Sequence, residues 1–209
     1  MKSFFESWTW PRPRGRLHVY ALANPAVAAM ADAYHGVLAD GGVTGLARQP
    51  DEFLHVTIEQ VQRYTEDLTG DQLTTLISTL GKHIAAVPAF DLTVGPALVY
   101  THAITLDAVP DEPWQQLRRA VRDAATEAFG ADALRPMDSP GAPHITISYA
   151  TADIDVESHL HAFYGGRFGR ATLPVNEVLL LAVDQDPVAG VYSWPDPIAA
   201  FPLGDRRPE

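Results

Sequence analysis

The sequence predicts an α+β protein with a bilobal, duplicated fold: two antiparallel sheets with flanking helices, related by a pseudo-two-fold axis around a central cleft. Three observations predict it. One short pattern occurs twice, as Phe53-Leu54-His55-Val56-Thr57-Ile58 and as Pro143-His144-Ile145-Thr146-Ile147-Ser148-Tyr149. Both copies sit in apolar runs of strand character, with helical patterns before and after them. The step of 89 residues from His55 to His144 also carries Pro25, at one helix start, to Trp114, at another, and His102 to Val191, at the start of a late strand.

Residues 1–15, with Trp8, Trp10, Pro11 and Pro13, read as an irregular arm preceding a single domain at 16–209. Residues 17–23 (LHVYALA) form the first strand. Asn24-Pro25 opens a helix to about residue 39, with Asn24 as N-cap and Pro25 in the first helical position; Asp40-Gly41-Gly42 ends it. The first motif strand covers 53–61. Thr69-Gly70-Asp71 begins a second helix, through Leu73, Leu76, Ile77, Leu80 and Ile84. Strands at 90–94 and 97–107 follow. Pro110-Asp111-Glu112-Pro113 then opens a helix over 114–129 that Gly130 ends. A polar loop (135–143) leads into the second motif strand, followed by a short helix at 156–164 and strands at 175–184 and 191–201.

Composition sets limits. The chain has 209 residues, 46% of them hydrophobic, which suits a globular domain with a real core. Without cysteine there is no disulfide, thiolate metal site or cysteine nucleophile. No apolar run reaches 18 residues, so no membrane span or membrane partner is expected, and residues 1–6 lack the apolar stretch of a signal peptide. A cytoplasmic monomer is the default. The net charge of −11 opposes long nucleic acids, which are gripped by basic patches.

The motif carries the chemistry. On a strand, residues i and i+2 share a face, so His55 and Thr57 project together, as do His144 and Thr146. Side by side, the strands would line one cleft with two imidazoles and two hydroxyls. A lone strand histidine is ordinarily structural; two at matching offsets point to acid–base work, for which imidazole is suited near neutral pH. A zinc site on the same histidines lacks an obvious third ligand, so neither metal nor cofactor is expected. Tyr20, Tyr100 and Trp194 could stack on a base. Arg48 and Arg135 could meet phosphate from loops near the motifs. His18 or His102 could face the cleft, whereas Arg118, Arg119 and Arg122 read as a solvated helix face. Tyr149 is also a candidate for holding substrate, although strict alternation points it away from His144 unless the strand bends.

These residues resemble the two-histidine phosphoesterase superfamily, which includes 2′-5′ RNA ligase-like proteins and cyclic phosphodiesterases. Its hallmark is a pair of His-x-Thr/Ser-x strands half a chain apart, here His55-Val56-Thr57-Ile58 and His144-Ile145-Thr146-Ile147. The likeness spans about 16–203 and includes the closing Tyr192-Ser193-Trp194 and Ala200-Phe201-Pro202-Leu203. It implies a cleft holding both motifs and metal-independent hydrolysis of a 2′,3′-cyclic phosphate on a nucleotide or RNA end. The alternatives are a 2′-5′ RNA ligase, a 2′-5′ oligonucleotide phosphodiesterase, or a non-catalytic nucleotide- or RNA-binding module. Several bacterial RNA-end members carry an arginine shortly after the second motif. Ser148-Tyr149-Ala150 stands there instead, which argues against ligation. The sequence leaves open which histidine is base and which is acid.

Overall fold

The computed structural model describes residues 1–136, 141–156, 160–165 and 168–206. In chain order the elements are α1 (Phe4–Trp8), β1 (Arg16–Leu22), α2 (Pro25–Asp40), β2 (Leu46–Arg48), β3 (His55–Tyr64), α3 (Gly70–Ile84), β4 (Phe90–Val99), β5 (Ala103–Val109), α4 (Asp111–Phe129), β6 (His144–Ala150), α5 (Leu160–Gly165), β7 (Ala171–Val175), β8 (Glu177–Asp186), β9 (Val191–Ser193) and β10 (Ala199–Pro202). Parts of the expected 135–143 loop and 156–164 helix lie outside the described residues.

Local chemistry sets the helix ends. Asn24 Oδ1 accepts from the Val27 amide at 3.0 Å and Pro25 follows it, so α2 starts where the sequence placed it. Thr69 and Gln72 form a reciprocal capping box on α3. α4 begins three residues before Trp114, with Asp111 and Glu112 in its first turn favoured by the helix dipole, and stops at Gly130, whose φ of 87° suits glycine.

Three expectations about the elements need correction, and two strands are new. The arm is not irregular throughout: Phe4–Trp8 is helical, and Phe5 and Trp10 are buried against the sheet. The strand expected over 97–107 is interrupted at Tyr100–His102, because β4 runs on to Val99 across an irregular register at Gly95-Pro96 and then turns into β5. The last strand is split into β9 and β10 by Pro195 and Pro197, which have no amide to give a ladder. Strands β2 and β7 were not foreseen.

All named strand pairings are antiparallel, in the order β10-β8-β1-β3-β6-β5-β4-β7. Two four-stranded halves meet where the motif strands touch, at one residue pair, Val56 opposite Ile145. Beyond that contact β2 takes over the edge of β6, pairing Leu46 with Ala150 and Arg48 with Ser148. The halves match about the junction: β1 flanks β3 as β5 flanks β6, and β8 lies beyond β1 as β4 lies beyond β5. The equivalence of His102 with Val191 therefore fails. β5 stands in the place of β1, and β9 is a short addition to the far end of β8.

Helices α2 and α4 exchange halves of the sheet. α4 packs on β3, with α3 beside it against β10, whereas α2 packs on β7 and α5. They cover one face of the sheet over a continuous core that includes Leu17, Val19, Val56, Ile58, Leu106, Ile145 and Ile147. The other face carries a smaller cluster, mostly aromatic: Phe5, Trp10, Tyr20, Tyr149 and Tyr192 with Leu181 and Val183. The site lies on that second face.

Candidate active site

Val56 and Ile145 point into the helix-side core and are fully buried. Their neighbours on each strand therefore point to the other face. Because Val56 faces Ile145 across an antiparallel junction, the same register sets His55 across from Thr146 and Thr57 across from His144. The four side chains thus form two diagonal His/Thr pairs about the pseudo-two-fold. All four line one cavity of about 770 Å³.

Both imidazoles are tethered in the same way. His55 Nδ1 lies 2.8 Å from the Phe53 carbonyl and His144 Nδ1 lies 3.0 Å from the Ala142 carbonyl. A carbonyl only accepts, so Nδ1 donates in each case and the neutral ring keeps an unprotonated Nε2. The tether comes from the residue two before each histidine, and it fixes which nitrogen is left for chemistry.

Their surroundings differ. His55 is 7% exposed and stacks on Tyr20 with ring centroids 3.8 Å apart and planes 14° apart; Trp194 meets it edge-on at 5.3 Å. Burial pushes its pKa down to about 4, against a smaller upward pull from the Phe53 carbonyl, with the His144 charge adding to the fall. His144 is open to solvent. Its neighbour in register on β5 is Asp107, where the matching neighbour of His55 on β1 is Leu22.

Each threonine has a tyrosine partner. Tyr20 neighbours Thr57 and Tyr149 neighbours Thr146, each pair close enough for the threonine to act on its tyrosine. Tyr149 reaches the cleft because β6 carries a bulge: Ile104 pairs with Ser148 but Thr105 pairs with Thr146, so Ile147 is an extra residue and the alternation resets. The same bulge lies at Ile58 on β3. It sends Glu59 to the helix side, as Ser148 is sent to His35 of α2, and returns Gln60 to the cavity.

The cavity has a cationic rim, of which Arg135 was a candidate from the sequence and the α4 arginines were not. Arg118 and Arg122 of α4 reach Glu59 at 3.2 and 2.7 Å and line the cavity with Arg135; Arg119 alone is exposed, as expected of a solvated face. Helical spacing put Arg118 and Arg122 on one stripe, but the exchange of α4 onto the β3 sheet decides that the stripe borders the cleft.

The remaining candidates divide. Tyr20, Tyr100, Tyr149, His18 and His102 line the cavity. Arg48 does not; it is held on the outer surface by Asp32 at 2.5 Å and Asp51 at 2.6 Å, so its role as a phosphate contact is withdrawn. Trp194 packs behind His55 and Tyr20 rather than lining the cavity, so it shields the imidazole and is not a stacking platform. Among the described residues, no three His, Asp or Glu side chains come together in a way that could hold a metal ion.

Two histidine–threonine pairs thus stand about a pseudo-two-fold on one face of an antiparallel sheet, in a cavity with a cationic rim. The chain belongs to the 2′-5′ RNA ligase superfamily, whose family model matches residues 31–187. Solved structures share the fold. TT0787 of Thermus thermophilus is 19% identical, with a TM-score of 0.63 over 92% of this chain and 100% of that one. E. coli LigT in complex with 3′-AMP is 16% identical, with a TM-score of 0.62 over 91% and 98%. The MHV ns2 PDE domain is 12% identical, with a TM-score of 0.54 over 82% and 99%. No curated protein matches the sequence significantly.

Proposed function

We propose that this protein is a metal-independent phosphoesterase that opens the 2′,3′-cyclic phosphate of a nucleotide or RNA end. The observation that supports it best is the matched tethering of His55 and His144: both keep Nε2 for chemistry, on one face of the joined motif strands. The difference in burial divides the roles. His55, kept neutral by burial, takes a proton from the water that attacks phosphorus. The bond from phosphorus to one ribose oxygen breaks, and that oxygen receives a proton from Nε2 of protonated His144. Thr57 and Thr146 donate to the non-bridging oxygens as charge builds on them. Arg118, Arg122 and Arg135 draw the anion into a cleft on an otherwise acidic protein. E. coli LigT has been crystallised with 3′-AMP, a monoester of the class this reaction would leave, and with phosphate.

The test is turnover of the four 2′,3′-cyclic mononucleotides in the presence of a chelator, with the products resolved as 2′- or 3′-monophosphate. Conversion of at least one to a single monoester is expected. Binding without conversion would favour a non-catalytic nucleotide module. Activity on 2′-5′-linked oligonucleotides alone would move the assignment to that bond.

A further inference from the structure

We infer that the cleft holds a second phosphate-binding subsite, built on the side edge of the Arg16 guanidinium, and that the preferred substrate carries a second phosphate besides the cyclic one. This rests on the proposed phosphoesterase reading. Arg16 is 3% exposed, yet its Nε and one terminal nitrogen, Nη2, have no hydrogen-bond partner, and among the described residues no carboxylate pairs with it. Those two nitrogens form the edge of the guanidinium that binds two oxygens of one anion side by side. A buried cation left without an acceptor costs stability, so an anion is the economical partner.

Position ties this edge to the cleft. Arg16, His18 and Tyr20 alternate along β1 with Leu17 and Val19, which belong to the helix-side core, so the three share the cleft face. Arg16 does not itself line the cavity, but its neighbours on that face, His18 and Tyr20, do, and Tyr20 stacks on His55. Roughly 13 Å of strand separates the α-carbons of Arg16 and Tyr20, so a group held at Arg16 is distinct from one held between the histidines. His18 is fully buried and its Nε2 is also unpartnered, while Nδ1 bonds the Tyr20 hydroxyl. With its proton on Nε2, His18 adds a third donor. Arg135, on the cavity rim, acts electrostatically on Arg16, His18 and Tyr192, so a second cation overlooks the same place. The matching strand of the other half presents Thr105 and Ala103 where this one presents Tyr20 and His18, so the subsite is on one side only.

Two measurements on the full chain test this. Calorimetry compares a nucleoside 2′-monophosphate with the corresponding 2′,5′-bisphosphate, neither of which can be hydrolysed as a cyclic ester. Kinetics compares a 2′,3′-cyclic mononucleotide with and without a 5′-phosphate. Wild type should favour the two-phosphate member of each pair by roughly tenfold or more, as expected for charge-assisted bonds. Arg16→Met should bring both ratios close to one. Arg16→Lys keeps a cation but loses the paired edge, so it should lose most of the preference; it stands in for the methionine variant should that fail to fold. A wild type with equal affinity for both ligands, including one whose arginine edge takes only free inorganic phosphate, overturns the subsite. So does a preference that survives in both variants. If neither cyclic nucleotide is turned over but the Arg16-dependent binding preference persists, the subsite stands and the phosphoesterase reading falls.

Discussion

His55 and His144 carry the same backbone tether but meet different solvent, and this difference is measurable. On the acid side, activity is lost when the base takes up a proton. With the His55 pKa near 4, kcat/KM should hold well below pH 6.5 and fall only as pH approaches about 4. A limb near 6.5 would show a solvated base and reverse the assignment of roles. The tyrosine–threonine pairs offer a second test. Tyr149→Phe removes the partner of Thr146 while keeping the ring packed among Phe4, Phe5 and Tyr192. A neutral hydrogen bond contributes about 0.5–1.5 kcal/mol, so kcat should fall by about two- to tenfold with KM little changed. An unchanged kcat would show that Thr146 needs no orientation. The four motif residues could be read from the sequence because period-two alternation is local. Tyr149 was a candidate only on the condition that the strand bends, because a one-residue bulge is what turns its face and nothing near Ile147 announces it.

At the scale of elements, legibility followed the range of the forces. The caps of α2 and α3 are contacts within four residues, and both helices begin where the sequence placed them. Thr69→Ala, which breaks the capping box, should cost about 1 kcal/mol of stability by denaturant titration. β2, β7, β9 and β10 have three to five residues each, too few for alternation to stand out, and they exist because neighbours supply ladder partners. The exchange of α2 and α4 between the halves of the sheet has no local signature, so the α4 arginines of the rim stayed hidden. Tertiary fit also governs Gly190, in the turn between β8 and β9. Its φ is 75°, and an added Cβ would lie 2.5 Å from Ala47 Cβ and 2.6 Å from the Thr151 methyl. Gly190→Ala combines backbone strain with overpacking, each about 1–3 kcal/mol, and should lower Tm by several degrees. A Tm equal to wild type would mean that this turn shifts freely against β2.

At the scale of the whole molecule, charge and burial govern the response to pH and salt. His18, His35 and His55 all have pKa values lowered mainly by burial. Unfolding restores them to about 6.5, so the unfolded chain binds more protons than the folded one below that pH. Their contribution to stability is full above pH 6.5 and is lost as pH falls toward about 4, where His55 titrates in the folded state. Tm should therefore drop across that window, with net proton uptake on unfolding; a flat Tm from about pH 7 to about 4.5 would contradict the buried, neutral histidines. No helix among the described residues is long and apolar enough to cross a membrane. The net charge of −11 surrounds a cavity lined by three arginines against Glu59 and Asp107. This arrangement suits a short anionic ligand, and affinity for a cyclic nucleotide should fall only shallowly with salt.

The central claim is that His55 and His144 act as one acid–base unit, and a double-variant cycle tests it most directly. Hydrolysis of the best 2′,3′-cyclic nucleotide would be measured in chelator for wild type, His55→Ala, His144→Ala and the double variant. Each single change should lower kcat by roughly 10²–10⁴-fold. The double variant should be little slower than the worse single, because neither proton transfer serves without the other. A single variant that keeps near-wild-type turnover, or losses that multiply in the double, would contradict the account.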